Sequence, residues 1–245
     1  YIRQTALKGT LRYMFNPPNK QHPTNYKQFL KTFSYKDKVL YRTIFERHPD
    51  KIKLSKEKFA VNNLEKIFGA TFQLVPKIGF QAMSLRDLSS ETGLSMGGLY
   101  SSISYKENIA IIVKDIVAIV CSELVEKANA EEDAKIALEQ VIRGYLYTST
   151  ALQPWFYFLY FETRSLPLPE QEASKNIELE QVSEMSLLLD KIRDSETSPV
   201  SSEDIATMML AMIQERYLKP WKYKTPDKTI DDYAEHCLAL LQRLL

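Results

Sequence analysis

The chain has 245 residues, of which 44% are hydrophobic and 26% charged, as is ordinary for a globular protein with a sizeable core. Its two cysteines, Cys121 and Cys237, have neither the number nor the spacing of a disulfide framework or a metal site. The longest apolar run, 109–121, is interrupted by Lys114 and Asp115, which excludes a membrane span, and no signal peptide is recognisable. We therefore expect a cytoplasmic protein without disulfides or a bound metal.

The net charge of +1 conceals an uneven distribution of charge along the chain. Residues 1–60 carry 14 lysines and arginines against 4 acidic residues, whereas residues 109–245 carry 14 against 23. Residues 61–108 are balanced, with 4 of each sign. A basic front end is typical of a segment that faces a polyanion, but a solvated basic extension would have the same composition.

Residues 1–54 are predicted to form a basic N-terminal extension. The prolines and asparagines over 1–33 indicate an extended or loosely ordered arm. The Ser-x-x-Asp spacing that starts at Ser34 has the form of a capping box. It predicts a short helix near 34–47, which the following His-Pro pair ends.

The next segment has the helix caps and turn residues that are typical of a small helical bundle. Ser55 is placed to cap a long helix, and a capping box starts at Ser84. Gly93 suits the left-handed residue of a tight turn, after which Ser95 caps a short helix. A further capping spacing at Ser104 opens a long apolar helix. This order of helix, turn, short helix and long helix is that of a helix-turn-helix motif.

The chain is thus predicted to be all-α, with a helix-turn-helix segment over 55–108 and a larger helical segment over 109–245. No stretch alternates as a strand with hairpin turns. Apolar periodicity and prolines in the larger segment predict helices near 132–151, 154–164, 169–193, 202–218 and 228–245.

Residues 79–109, GFQAMSLRDLSSETGLSMGGLYSSISYKENI, resemble without a gap the DNA-binding signature of the TetR (tetracycline repressor) family. The similarity rests on the Gly-Phe pair at 79–80, the Gly-Leu-Ser turn at 93–95, the Gly-Gly-Leu-Tyr run at 97–100 and the Tyr-Lys-Glu run at 105–107. It implies an N-terminal three-helix DNA-binding domain and a C-terminal domain for ligand binding and dimerisation.

The resemblance also implies how such a protein acts. A homodimer, joined through its last two helices, would bind a palindromic operator in double-stranded DNA, most often as a repressor. An unknown small molecule would release it. The resemblance further implies a bacterial cytoplasmic protein, located on the nucleoid when it is bound to DNA, with no membrane partner.

The expected DNA contacts lie in and beside the recognition helix. Glycine at 97 and 98 removes side chains that would hold the helix backbone away from the major groove, although close helix packing is an alternative reason for Gly98. Lys106 resembles the family's phosphate-contacting lysine, whereas Met96 and Ser101 depart from its usual residues. The expected DNA-binding residues are Ser84, Arg86, Ser95, Met96, Gly97, Gly98, Tyr100, Ser101 and Lys106.

The aromatic stretch 153–161 is the candidate lining of a ligand pocket for an apolar or acyl-type molecule, and ordinary core packing is the alternative for each of its residues. The broad apolar faces of 202–218 and 228–245 predict a two-fold interface, for which core packing is again the alternative. The expected ligand-binding residues are Tyr145, Phe156, Tyr157, Tyr160, Met185 and Met212.

Catalysis finds no support in the sequence. The three histidines are scattered, and the chain has no nucleophile elbow, phosphate loop or paired metal ligands. We therefore expect neither an enzyme nor a cofactor. The remaining alternative is an architectural DNA-binding protein without an inducer, in which the aromatic stretch is only core.

Overall fold

The computed structural model describes residues 23–193, 199–224 and 229–245. Within these ranges the regular structure consists of α-helices and two short 3₁₀ turns, Thr163–Ser165 and Pro220–Tyr223, without any strand, as the sequence predicts. The helices are α1 (Tyr26–Thr32), α2 (Asp37–Arg47), α3 (Glu57–Ile78), α4 (Leu85–Thr92), α5 (Met96–Ser102), α6 (Glu107–Asn129), α7 (Ala134–Ala151), α8 (Gln153–Glu162), α9 (Leu168–Ile192), α10 (Ser202–Leu218) and α11 (Ile230–Gln242).

Helices α3, α4 and α5 form a three-helix bundle. The long helix α3 buries one apolar face that includes Leu64 and Ile67, and the two short helices contribute Leu88 and Leu99 to the same core. Ile103, directly after α5, is also buried there. The bundle is small, so each short helix depends on its caps and on one or two buried side chains for its position.

Two of the predicted caps are confirmed and three are wrong. Ser84 and Ser95 cap α4 and α5 with their side chains. Ser34, Ser55 and Ser104 do not cap, because α2, α3 and α6 begin later, after lysines that make no side-chain capping bond. The amide and hydroxyl of Ser104 instead donate to the carbonyl of Lys51.

The C-terminal helices α6–α11 pack around a second, larger core. Ile112 and Ile116 of α6, Ile142 and Leu146 of α7 and Ile213 of α10 are all fully buried in it. Helices α9 and α10 pack along one another, and α11 packs mainly against α7. The helices predicted for this segment are found with boundaries that differ by at most a few residues.

The described part of the N-terminal extension does not form an extended arm. Residues 1–22 lie outside the described residues, but Tyr26–Thr32 is helical, so the prediction of an arm is wrong there. The side chain of Asn25 caps this helix, and the ring centroids of Tyr26 and Phe29 each lie 5.5 Å from that of Tyr147 in α7. Aromatic contacts therefore stabilise a helix whose sequence alone is a weak helix former.

Candidate nucleic-acid interface

The approach to α4 is fixed by backbone geometry and a capping box. Gly79 has φ of 77° and ends α3 by donating its amide to the carbonyl of Val75 at 2.8 Å. Ser84 then accepts from the amide of Asp87 at 3.2 Å, and the Asp87 carboxylate accepts the Ser84 amide at 2.8 Å. This reciprocal pair fixes the start of α4. Arg86, in the first turn of that helix, is exposed.

The turn between α4 and α5 is held by local hydrogen bonds. Gly93 has φ of 69°, the left-handed conformation that glycine adopts without strain. The Ser89 hydroxyl donates to the Leu94 carbonyl at 2.6 Å, and the Thr92 hydroxyl accepts the Leu94 amide at 3.2 Å. These bonds hold the turn itself, while Leu88 and Leu99 hold the two short helices in the bundle core.

Helix α5 presents one face to solvent and one to the bundle. Leu99 is buried, whereas the neighbouring Tyr100 is 48% exposed. The hydroxyls of Ser101 and Ser102 donate to the Gly98 carbonyl at 3.0 and 2.7 Å, and Ser102 also accepts from Asn63 of α3 at 2.9 Å. Ser102 thus attaches the end of α5 to α3.

The two glycines of α5 are not required by packing within the chain. A Cβ atom at Gly97 would meet no atom within 4 Å. At Gly98 it would lie 3.4 Å from the Ser95 hydroxyl oxygen and 4.0 Å from the Leu94 Cβ, which are ordinary van der Waals distances. Close packing of the helices therefore does not explain Gly98.

Lys106 closes the turn that follows α3. Its ammonium group donates to the carbonyls of Phe80 and Gln81 at 3.1 and 3.0 Å and lies 5.2 Å from the centre of the Phe80 ring. Two of its three N–H donors are thus occupied within the protein. The third leaves Lys106 able to bind one phosphate oxygen while it holds the turn in place.

Of the expected DNA contacts, Ser84, Arg86, Ser95, Gly97 and Tyr100 are exposed, and Met96, Gly98, Ser101 and Lys106 are half-buried. Tyr105, which the sequence reasoning did not select, is 69% exposed next to Lys106. Lys53, one of the lysines just ahead of α3, is exposed, and its amide donates to the Ser101 carbonyl at the end of α5 at 2.9 Å.

A second candidate site is a cavity of about 220 Å³ among the C-terminal helices. It brings together Tyr145, Phe156 and Tyr160 from the expected ligand-binding set. Tyr157 lines a different cleft of about 340 Å³, which also includes Trp221. Met185 and Met212 line neither of these two cavities.

The aromatic stretch of α8 divides between the three-helix bundle and the cavity. Trp155 stacks on Phe68 of the three-helix bundle at 4.8 Å between ring centroids, and Phe158 meets Phe80 edge-on at 5.2 Å. Phe156 instead packs against Tyr145 at the cavity. Neither reading of the stretch, pocket or core, is right for all of its residues, because successive side chains of a helix point in different directions.

The floor of the cavity is polar. The hydroxyl of Tyr145 donates to Oε1 of Gln181, and the Cys121 sulfur lies 3.8 Å from the same hydroxyl. Burial raises the pKa of Tyr145 well above its usual value and keeps the phenol protonated. Gln181 is only 6% exposed, and its amide nitrogen has no hydrogen-bond partner among the described residues. Gln181 lines the cavity, and sequence reasoning missed it because it belongs to no local motif.

The last two helices leave apolar side chains uncovered. Met208 of α10 is 56% exposed and Leu240 of α11 is 49% exposed, and Leu244 and Leu245 are also exposed. Other residues of the predicted interface face the core instead, among them Ile205, Met209 and Ile213. Core packing thus accounts for one side of each helix and leaves the other side without a partner among the described residues.

The described part of the chain contains neither a candidate metal site nor a helix that could span a membrane. Within the three described ranges, no group of three or more His, Cys, Asp or Glu side chains is arranged to hold a metal ion. No helix in those ranges is long and apolar enough to cross a membrane.

No protein-family model matches the sequence, and no curated protein matches it. The fold, in contrast, matches many solved structures. PfmR, a TetR-family transcriptional regulator from Thermus thermophilus, is 20% identical with a TM-score of 0.60, covering 73% of this chain and 98% of its own. AibR in complex with isovaleryl coenzyme A and operator DNA is 15% identical with a TM-score of 0.59, covering 73% and 97%.

FadR from Bacillus subtilis, a transcriptional regulator solved with stearoyl-CoA, is 16% identical with a TM-score of 0.54, again covering 73% and 97%. All three similarities extend over nearly the whole of the compared structure and roughly three-quarters of this chain. The chain has the all-α fold of TetR-family transcriptional regulators, as the residues at 79–109 predict.

Proposed function

We propose that the chain is a one-component transcription regulator that binds a palindromic operator as a homodimer and represses until a small ligand releases it. The observation that carries this proposal is the outer edge of α5. Gly97 and Gly98 leave the helix backbone bare, and the exposed Tyr100 lies beside them. A helix of this kind can lie deep in a major groove about 12 Å wide.

The surrounding residues supply the contacts that position such a helix. Arg86 is exposed at the start of α4 and is placed for a phosphate or a base edge. Lys106 keeps one donor for a phosphate oxygen, as the distances to Phe80 and Gln81 indicate. The fold-related AibR was solved with operator DNA, which supports the same use of the fold here.

The exposed sides of α10 and α11 support a homodimer. In a two-fold interface the same patch serves both copies, so Met208 and Leu240 of one copy would be covered by the same helices of the other. Two copies would place two α5 helices on one face of the DNA. This arrangement is why we propose a palindromic operator.

The cavity among the C-terminal helices supports a ligand with an apolar body and a hydrogen-bond acceptor. Phe156 and Tyr160 supply the apolar wall, and the amide of Gln181, whose nitrogen has no partner among the described residues, suits a carbonyl oxygen. At about 220 Å³ the cavity lies below the range of roughly 300–1,000 Å³ that is common for ligand pockets. A short acyl group, such as the isovaleryl group of the AibR ligand, therefore fits the cavity better than a long one such as the stearoyl group of the FadR ligand.

Operator selection from a random duplex library tests the DNA-binding part. We expect the full chain to enrich a palindrome, and Arg86→Ala to weaken binding to that palindrome by about 10-fold. Arg164→Ala is the matched control, since Arg164 is an exposed arginine in the Thr163–Ser165 turn of the C-terminal helices. Failure to enrich any sequence, with DNA still bound, would support an architectural protein instead.

Thermal unfolding with isovaleryl-CoA, stearoyl-CoA and free coenzyme A tests the ligand. We expect isovaleryl-CoA to raise the melting temperature and to weaken operator binding at the same concentration, because it binds the two states of the dimer unequally. Tyr160→Ala should remove both effects. Tyr157→Ala should keep them, since Tyr157 lies on the same helix but lines the other cleft. No effect of either acyl-CoA would refute an acyl ligand.

A further inference from the structure

Residues 35–54 of the extension, here called the strap, pack on the three-helix bundle. Helix α2 lies along α3, with Leu40 and Ile44 buried between them. The ring of Tyr41 packs near both Phe68 of α3 and Trp155 of α8. The strap therefore lies where the bundle and the C-terminal helices meet.

The C-terminal end of the strap is bonded to the end of α5. The amides of Lys53 and Leu54 both donate to the carbonyl of Ser101, at 2.9 and 3.0 Å. In return, the amide and hydroxyl of Ser104 donate to the carbonyl of Lys51, each at 3.1 Å. Four hydrogen bonds thus join this short piece of backbone to the segment that links α5 to α6.

The strap also contacts α6, mainly at Asp115. Arg47 donates to its two carboxylate oxygens at 3.0 and 3.3 Å, and Nε2 of His48 lies 3.1 Å from one of them. Two turns further along α6, the hydroxyl of Tyr35 donates to Glu123. Burial alone would raise the pKa of Asp115, but the contacts with His48 and Arg47 outweigh it and hold that pKa well below its usual value.

Helix α6 is the common support of the two candidate sites. Its start carries Lys106, which holds the turn after α3, and Val117, further along, lines the cavity. Asp115 lies between these positions, about 13 Å along the helix axis from Lys106 at 1.5 Å per residue. The strap therefore gives α6 a second connection to α5, separate from the covalent one.

We propose that Asp115 is a positioning residue for DNA binding: by holding Arg47 and His48 it fixes the strap, and the strap in turn holds the C-terminal end of α5. This inference rests on the proposed function: when α6 moves at the ligand cavity, the strap transmits that movement to α5, the proposed recognition helix. A chain with this fold but without residues 35–54 would have only the covalent link and the bundle core for that coupling.

Amide hydrogen exchange of the full-length protein tests the mechanical part of the proposal without DNA or ligand. We expect Asp115→Asn and Arg47→Gln to speed exchange at Lys53, Leu54 and Ser104 by at least about 10-fold. Arg42→Gln is the matched control. Arg42 is also an arginine of α2 in an ion pair, but its partner is the exposed Glu57 of α3.

Three exchange results would overturn the proposal. These are unchanged exchange in both variants, equal acceleration in the Arg42→Gln control, and uniform acceleration through the whole protein, which would indicate only global destabilisation. Arg47→Gln keeps the experiment decisive if Asp115→Asn does not fold, because it removes the same contact from the more exposed partner.

Binding to the selected operator tests the functional part. We expect Asp115→Asn and Arg47→Gln to weaken operator binding about 5-fold relative to Arg42→Gln and to leave binding to random duplex unchanged. Faster exchange with unchanged operator affinity would overturn the positioning role. If the wild-type chain enriches no operator, the proposed function fails, and the exchange data still decide whether Asp115 holds the strap.

Discussion

The three-helix bundle and the C-terminal helices place their candidate sites in opposite ways. Every expected DNA contact lies between Ser84 and Lys106, and the starts of α4 and α5 and the turn between them are set by hydrogen bonds within a few residues. The cavity is lined instead by residues from Val117 to Tyr217, drawn from five helices. A local site can be interpreted from a short stretch of sequence, whereas a site built by packing cannot.

The two regions nevertheless share one aromatic cluster. Phe68, Phe72 and Phe80 belong to α3 and the turn after it, and Trp155 and Phe158 belong to α8. The packing of α8 therefore affects the bundle as well as the cavity. Changes in the cluster test whether the regions are separable, and changes within either region test how each one works.

The largest effect is expected from Trp155→Ala. Trp155 is buried and contacts both Phe68 and Phe72, so its removal should cost about 3–5 kcal/mol of unfolding free energy. Phe161→Ala, on the same helix but exposed, should cost less than about 1 kcal/mol. Urea unfolding measures both. Equal losses for the two variants would mean that the cluster does not join the regions.

The next effect concerns the polar floor of the cavity. Tyr145→Phe removes the donor to Oε1 of Gln181 and leaves a buried amide without any partner, which should cost about 1–3 kcal/mol of unfolding free energy. Adding Gln181→Leu removes the unpaired amide as well. We expect the double variant to recover most of the loss, since replacing both partners by apolar groups is close to neutral.

Urea unfolding of both single variants and the double variant gives the coupling energy between Tyr145 and Gln181. Additive losses would show that the two side chains act independently. The single variant Gln181→Leu should also lose the stabilisation by isovaleryl-CoA, because it removes the donor proposed for the ligand carbonyl.

A smaller effect, of opposite sign in two measurements, is expected from Gly97→Ala. The helix has open space for the new methyl group, so unfolding free energy should rise by about 0.4–1 kcal/mol. Operator binding should weaken by about 10-fold, because the methyl group would hold the backbone away from the groove. Gly69→Ala in α3 is the matched control, since a Cβ there also meets nothing within 4 Å.

Gly69→Ala should give a similar stabilisation without any change in DNA binding. If Gly97→Ala stabilised the protein and left operator affinity intact, the bare backbone of α5 would have no role in approach. The comparison is informative because a new methyl group meets no atom within 4 Å at either glycine, whereas only Gly97 lies on α5.

The fold and the first site were predictable to the extent that their determinants are local. The all-α class, the helix-turn-helix and the caps at Ser84 and Ser95 follow from spacing and residue type. Ser104 has the same cap spacing, yet its hydroxyl is taken by Lys51, more than fifty residues away. A capping pattern shows that a bond is possible and does not show which competing partner forms it.

Neither the strap nor the polar floor of the cavity could be predicted from the sequence, because both depend on residues that are distant along the chain. Helix α1 depends on Tyr147, and the strap depends on Asp115, neither of which is near it in sequence. Gln181 lies on a mixed polar helix and matters only because Tyr145 meets it across the core. Pairings of this kind are set by tertiary packing, which overrides local preference.

The smallest effect is expected at Cys121 and Cys237, whose thiols should not react in the native protein. Burial raises the pKa of Cys121 to about 12 and that of Cys237 to about 11, so the neutral thiol is favoured at both. At pH 8 a group with a pKa of 11 is ionised in only about one molecule in a thousand, and the thiolate is the reactive form. The native protein should therefore show no fast reaction with a disulfide reagent such as DTNB, whereas the denatured chain should react at both thiols.

Fast modification of one thiol in the native state would instead indicate that the core around α6 or α11 opens readily. At Cys121 that opening would reach the cavity floor through Tyr145, and a redox input to the sensor would then become the better interpretation.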